Sequence, residues 1–102
     1  MTVAMPEIEH TVIIPINTFA PLPIEASRPI QVVIQNCEDE YVASFFDANI
    51  SASGETLQIA LDNLKDLIAM QFQFLEHKPN SELGTAMRRK KSVLLALFKR
   101  RV

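Results

Sequence analysis

Apolar positions along this chain change period twice. The first run, Thr11 to Ile14, is short and rich in β-branched residues, and Pro15 ends it. Pro15, Pro21, Pro23 and Pro29 then punctuate the approach to the next element. Proline cannot donate to a sheet ladder, so this segment is expected as an edge strand or an ordered arm rather than a central strand. Its Val, Ile and Phe residues need cover, and a neighbouring subunit is one source of it. Residues 1–9 are expected to fray. From Ile30 the period becomes two. Ile30, Val32 and Ile34 face one side of a strand over 30–35, with Gln31, Val33 and Gln35 on the other. An acidic turn, Asn36–Glu40, leads to a second strand over 41–46. There Tyr41, Ala43 and Phe45 alternate with Val42, Ser44 and Phe46. Both faces carry apolar residues, which predicts a sheet covered on more than one side. A third short strand follows, in which Ala48, Ile50 and Ala52 alternate.

After Gly54 the period becomes that of a helix. Thr56 is placed to cap it. Leu57, Ala60, Leu61, Leu64, Leu67, Ile68, Phe72 and Leu75 form one wide apolar stripe, while Asp62, Asn63, Lys65 and Asp66 lie off it. Ile59, Met70 and Phe74 fall outside the stripe, so a second flank is expected to pack on another helix. Pro79 stops this helix. Gly84 marks a turn, and the closing segment "AMRRKKSVLLALFKRRV" reads as a second, amphipathic helix. Met87, Leu94, Leu97 and Phe98 share one face of it, widened by Val93 and Leu95, and form a packing or oligomer surface. Lys99, Arg100 and Arg101 then fall at the helix C-terminus, where the dipole favours positive charge.

Composition sets the scale. A chain of 102 residues, 48% hydrophobic and 22% charged, is one globular domain with a small core. It divides into an N-terminal arm with a possible edge strand (1–28), a β-β-β-α core (29–79) and a basic C-terminal helix (80–102). The net charge of −2 hides a sharp split. Residues 1–87 hold three of the ten basic residues and all twelve acids, a net of −9; residues 88–102 hold seven bases and no acid, a net of +7. Such a split points to pairing within or between chains, or to two surfaces with different partners. Arg88, Arg89, Lys90, Lys91, Lys99, Arg100 and Arg101 are therefore the candidate nucleic-acid contacts. Against this, the apolar centre "SVLLALF" is too large to leave exposed. The expectation is that the helix packs and its basic flanks meet acidic surface or water.

Enzyme chemistry finds little support. Asp47, Glu55, Asp62 and Asp66 would serve a metal-dependent nuclease only if they converged, and Asp62 and Asp66 read as solvated. His10 and His77 stand 67 positions apart without ligands at metal spacing and read as surface residues. Ser44, Ser51 and Ser53 lie in strands with no nucleophile elbow. Cys37, the single cysteine, excludes an intramolecular disulfide, and its acidic turn argues against a reactive nucleophile. The Gly54–Thr56 turn has no phosphate-loop pattern and reads as a turn needing backbone freedom followed by a cap. The phenylalanines, at strand and helix spacing, read as core rather than base-stacking platforms. No cofactor is expected. The first ten residues lack a signal-peptide pattern and no run approaches a membrane span, so the cytoplasm is the default.

The stretch "DEYVASFFDANISASGETLQIALDNLKDLI" resembles the core of the HicB-like antitoxin family. Tyr41, Val42 and Ala43 match its second strand and Asp47 the acidic position after it. Gly54, Glu55, Thr56, Ala60, Leu61 and Asn63 match its turn and helix start. The resemblance covers about residues 29–77. Gln58 and Ile59 stand where the family has paired acids, so the reciprocal capping box is missing. The loop after the second strand lacks the usual proline and glycine-cysteine. Residues 83–102 hold one helix, beginning near Leu83 and Gly84, and no DNA-reading helix, as in a short subgroup. The resemblance implies an α+β fold, a three-stranded antiparallel sheet packed on a long helix, akin to a partial ribonuclease-H-like or double-stranded-RNA-binding-like layer. It also implies dimers or larger assemblies, and a small basic mRNA-cleaving toxin of HicA type as partner. The expected function is thus non-enzymatic, antitoxin-type binding. A stand-alone oligomeric structural or regulatory domain and a nucleic-acid binder remain as alternatives, with the nuclease the weakest.

Overall fold

The computed structural model describes residues 8–101, with side chains described from Thr11 onward. Ile8 and Glu9, expected to fray, already belong to a strand; residues 1–7 lie outside the described residues, as does the side chain of His10. The elements run β1 (Ile8–Ile16), β2 (Ile24–Ala26), β3 (Ile30–Cys37), β4 (Glu40–Phe45), a 3-10 turn (Phe46–Ala48), β5 (Ile50–Gly54), α1 (Leu57–Glu76), a second 3-10 turn (Asn80–Glu82), α2 (Thr85–Leu97) and β6 (Phe98–Arg100). The architecture is α+β, an antiparallel sheet packed on a long helix. The sheet has four strands rather than three, in the order β1-β3-β4-β5.

The additional strand is β1, which pairs with β3 from Ile8↔Cys37 to Ile16↔Ile30. Pro15 does not end it; the ladder runs through Pro15↔Gln31. An edge strand allows this, because a proline nitrogen turned away from the ladder forfeits no hydrogen bond. The third sequence-read strand begins two residues late. Ala48 belongs to the 3-10 turn, and Asn49 reverses the chain in the left-handed region at φ 56° before β5 starts.

Register decides the faces. Val32, Ile34, Ala43, Phe45 and Ile50 share one face and are buried there, beneath the Ala60–Leu61–Leu64–Ile68–Phe72–Leu75 stripe of α1. The opposite face carries Ile13, Val33, Val42, Ser44 and Ser51, with Ile13 exposed and Val33 and Val42 half-buried. Ser44 is buried on that side, where it accepts a 3.0 Å hydrogen bond from Ser51. The helix α1 does not bury a second flank: Ile59, Met70 and Phe74 are 44%, 57% and 53% exposed.

Thr56 caps α1 as expected, its Oγ1 accepting from the Ile59 N–H at 3.1 Å. Gly54 is needed for space rather than for backbone freedom. A Cβ there would lie 2.6 Å from the Ala60 nitrogen and 2.6 Å from Ile59 Cγ2, while its φ is not positive. The helix start and the end of β5 approach so closely that only hydrogen fits between them.

The chain end departs most from the expected helix. α2 stops at Leu97; Phe98 is extended at φ −127°, ψ 156°. Phe98–Arg100 becomes β6 and pairs with β2, Ala26↔Phe98 to Ile24↔Arg100. Ser27 N–H to Leu97 C=O (2.7 Å) and Arg101 N–H to Pro23 C=O (2.9 Å) close this two-stranded sheet at both ends. Phe98 turns inward, its ring edge-on to Phe19 (5.2 Å) and Phe45 (6.2 Å).

Gly54→Ala is expected to lower stability by about 1–3 kcal/mol through overpacking. Urea unfolding followed by circular dichroism measures it, with the midpoint falling and the slope unchanged.

Candidate functional site

The seven basic residues at the chain end do not act as one group. The extended geometry of β6 sends Phe98 into the core and leaves Lys99 and Arg100 outside. Lys99 Nζ lies 3.4 Å from Glu25 Oε1 on the paired strand. Arg100 Nε donates to Glu76 Oε1 at 2.6 Å, and Arg100 Nη2 donates to His77 Nε2 at 2.6 Å, so it grips the C-terminal end of α1. These cations sit in a strand rather than at the C-terminus of their own helix; it is the C-terminal end of α1 that Arg100 meets. Lys91 Nζ donates to the backbone carbonyl of Lys78 at 2.6 Å, just beyond the same helix. Exposed pairs of this kind contribute little stability, up to about 1 kcal/mol each. They do fix where the charges point.

Arg88, Arg89 and Lys90 differ. Among the described residues they have no ion-pair or side-chain hydrogen-bond partner. Arg88 and Arg89 are exposed and Lys90 is half-buried. Arg89 and Lys90 line a shallow cleft of about 350 Å³ with Asp47, Asn49 and Met87, where α2 meets the 3-10 turn. Arg88 opens instead on a neighbouring cleft, lined also by Asn80, Lys91 and Leu95. Arg101 is exposed, held through its backbone to Pro23.

A second charged region was not singled out from the sequence. Glu38, Asp39, Glu40 and Glu55 line one cleft of about 500 Å³ together with Cys37. Antiparallel register brings them together: Cys37 pairs with Glu40, and Tyr41 with Gly54, so the β3–β4 turn and the β5–α1 turn share one end of the sheet. Glu38 takes φ 37° to make the tight turn. None of the four carboxylates pairs with a cation among the described residues. The signal was present as an acidic β3–β4 turn and a lone Glu55 before α1; only register joins them.

The carboxylates considered for a metal are dispersed. Asp47 lies in the cleft with Arg89 and Lys90, Glu55 in the acidic one, and Asp62 and Asp66 beside Lys65 and Phe19 in a third. Among the described residues no three His, Cys, Asp or Glu side chains group as a metal would require. Nor is any described helix long and apolar enough to cross a membrane. Phe45 and Phe72 are buried; Phe46 and Phe74 are exposed, the latter under Lys78 Nζ at 5.3 Å.

The residues that carry the family resemblance have structural roles. Ala43 and Ala60 are buried between sheet and helix, Tyr41 packs against that core, and Thr56 caps α1. Asn63 Nδ2 donates to the Ser53 carbonyl at 2.9 Å, tying α1 to β5. Leu94, Leu97 and Phe98, expected as a packing or oligomer surface, are buried in the chain's own core, with half-buried Met87 against it. No family model, curated protein or solved structure matches the chain.

Leu94 is fully buried, so Leu94→Ala is expected to cost about 2–5 kcal/mol in chemical denaturation. The loss should not depend on protein concentration, because the contacts removed lie within one chain.

Proposed function

We propose that this protein is a cytoplasmic, non-enzymatic binding protein of HicB-like antitoxin type. It works as a homo-oligomer and sequesters a small basic mRNA-cleaving toxin of HicA type. One observation carries the reading: Glu38, Asp39, Glu40 and Glu55 converge at one end of the sheet, and among the described residues none of them pairs with a cation. Carboxylates gathered on an open rim steer a basic partner and set its orientation. Support comes also from the stretch behind the resemblance. Residues 41–63 form one contiguous unit of two strands, a turn and a capped helix, in the order the resemblance implies.

Co-expression with a small basic protein, should one be encoded beside it, tests the proposal. The wild type should relieve growth arrest and co-purify with that protein. The triple variant Glu38→Lys, Asp39→Lys, Glu40→Lys should fold normally, bind at least tenfold more weakly and lose the rescue. Binding unchanged by the reversal would remove the acidic rim as the contact. If no basic partner is captured, the stand-alone oligomeric domain and the nucleic-acid reading below are what remain.

A second reading rests on Arg88, Arg89 and Lys90, the basic cluster left without partners. Three cations close together on one helix suit a phosphate backbone. Under this reading wild-type protein retards single-stranded or duplex nucleic acid at low salt. Arg88→Glu, Arg89→Glu, Lys90→Glu should abolish the shift, while Lys99→Glu, already engaged by Glu25, should weaken it less. A wild type that never shifts at low salt ends this reading.

A further inference from the structure

We infer that the outer edge of β1 is the surface through which two copies of this chain join, Thr11–Pro15 of each pairing antiparallel about a two-fold axis at Ile13. The inference rests on the self-association proposed above and names its surface. β1 ends the sheet, and its outer side accepts or donates no hydrogen bond among the described residues. Pro15 shows which backbone groups face outward. It lies within the β1–β3 ladder without an N–H to give, so its nitrogen points away from β3, and period two turns Thr11 and Ile13 the same way. The free edge therefore offers the N–H groups of Thr11 and Ile13 and the carbonyls of Thr11, Ile13 and Pro15.

Edge strands are normally guarded by charge, above all by lysine, or by proline. Here no Asp, Glu, Lys or Arg occurs from His10 to Ile24, and Pro15 guards only one end. Val12 and Ile13, adjacent in sequence and on opposite faces of the sheet, are 49% and 61% exposed. Pairing centred on Ile13 sets Ile13 against Ile13 of the second copy and Val12 against Ile14. Thr11 comes opposite Pro15, whose carbonyl accepts from the Thr11 N–H. The proline's missing donor costs a single bond at each end of the ladder. The two sheets become one continuous sheet with both α1 helices on the same face, and Val12 and Ile14 of the two copies fill the strip between them.

The occupant is a second copy because of charge. A basic partner would find no carboxylate along Thr11–Pro15, whereas a two-fold axis through this uncharged segment brings no like charges together. The opposite edge, β5, presents Ser51 and Ser53 instead and lacks the apolar pair. Five-residue pairing falls at the small end of stable interfaces, which bury about 1,200–2,000 Å². The dimer is therefore concentration-dependent.

Light scattering on the purified full chain should give a mass rising from one chain towards two as concentration increases. Ile13→Lys should stay at one chain over the same range with an unchanged circular dichroism spectrum. Phe74→Lys, at an exposed apolar residue on the outside of α1, should leave the association intact. In a Cys37→Ser background, Ile13→Cys should form a disulfide-linked dimer when oxidised glutathione is added. Facing residues of a hydrogen-bonded pair lie about 5.5 Å apart at Cα, within disulfide reach. Leu95→Cys should not. A wild type with the mass of one chain at every concentration overturns both the inference and the self-association it rests on. A dimer that survives Ile13→Lys, or that Ile13→Cys fails to cross-link, overturns the surface alone and leaves the self-association standing. Should Ile13→Lys unfold, the cross-link decides.

Discussion

Phe98 holds the two halves of this molecule together. Its ring meets Phe19 from the N-terminal segment edge-on at 5.2 Å and Phe45 from the sheet at 6.2 Å, and it is 3% exposed. Aromatic pairs in this geometry contribute about 0.5–1.5 kcal/mol beyond the area they bury. To bring the ring there, the backbone must leave the helix after Leu97. The extended residues that result then need hydrogen-bond partners, and Ile24–Ala26 supplies them. One inward side chain thus accounts for the length of α2, for the two-stranded sheet and for the closing of the N-terminal arm against the C-terminal end.

The same event sorts the basic residues. A helix continued through residue 101 would have swept Lys99, Arg100 and Arg101 around an axis. The strand instead lays Lys99 beside Glu25 and Arg100 beside Glu76. Among the described residues, Arg88–Lys90 and Arg101 keep no ion-pair partner, and the carboxylates of Glu38–Glu40 and Glu55 gather elsewhere with none. The charge split visible in the chain therefore resolves into one internal set of pairs and two separate charged surfaces of opposite sign. The edge segment Thr11–Ile16 carries no charge of either sign.

Much of the fold was legible. The strand alternation from Ile30 to Phe45, the Thr56 cap and the α1 stripe follow from period and local chemistry, and each is present. The chemistry of Gly54 was misjudged because a glycine's conformational freedom can be guessed from sequence, whereas the approach of Ala60 to within 2.6 Å of its missing Cβ cannot. Pro15 misled for a related reason. A proline removes a donor wherever it sits, but whether that donor was needed depends on which side of the strand has a neighbour.

By itself the sequence determined the strands from Ile30 to Phe45, the capped start and inward stripe of α1, and where charge of each sign is concentrated, because these depend on neighbours a few residues away. Tertiary structure alone decided three things: that the early β-prone run joins the sheet beside β3, that Phe98–Arg100 leaves the helix for β2, and that the acidic β3–β4 turn and Glu55 form one rim. Each depends on residues distant in the chain, whose meeting is set by strand register and by the burial of Phe98. No local period encodes either.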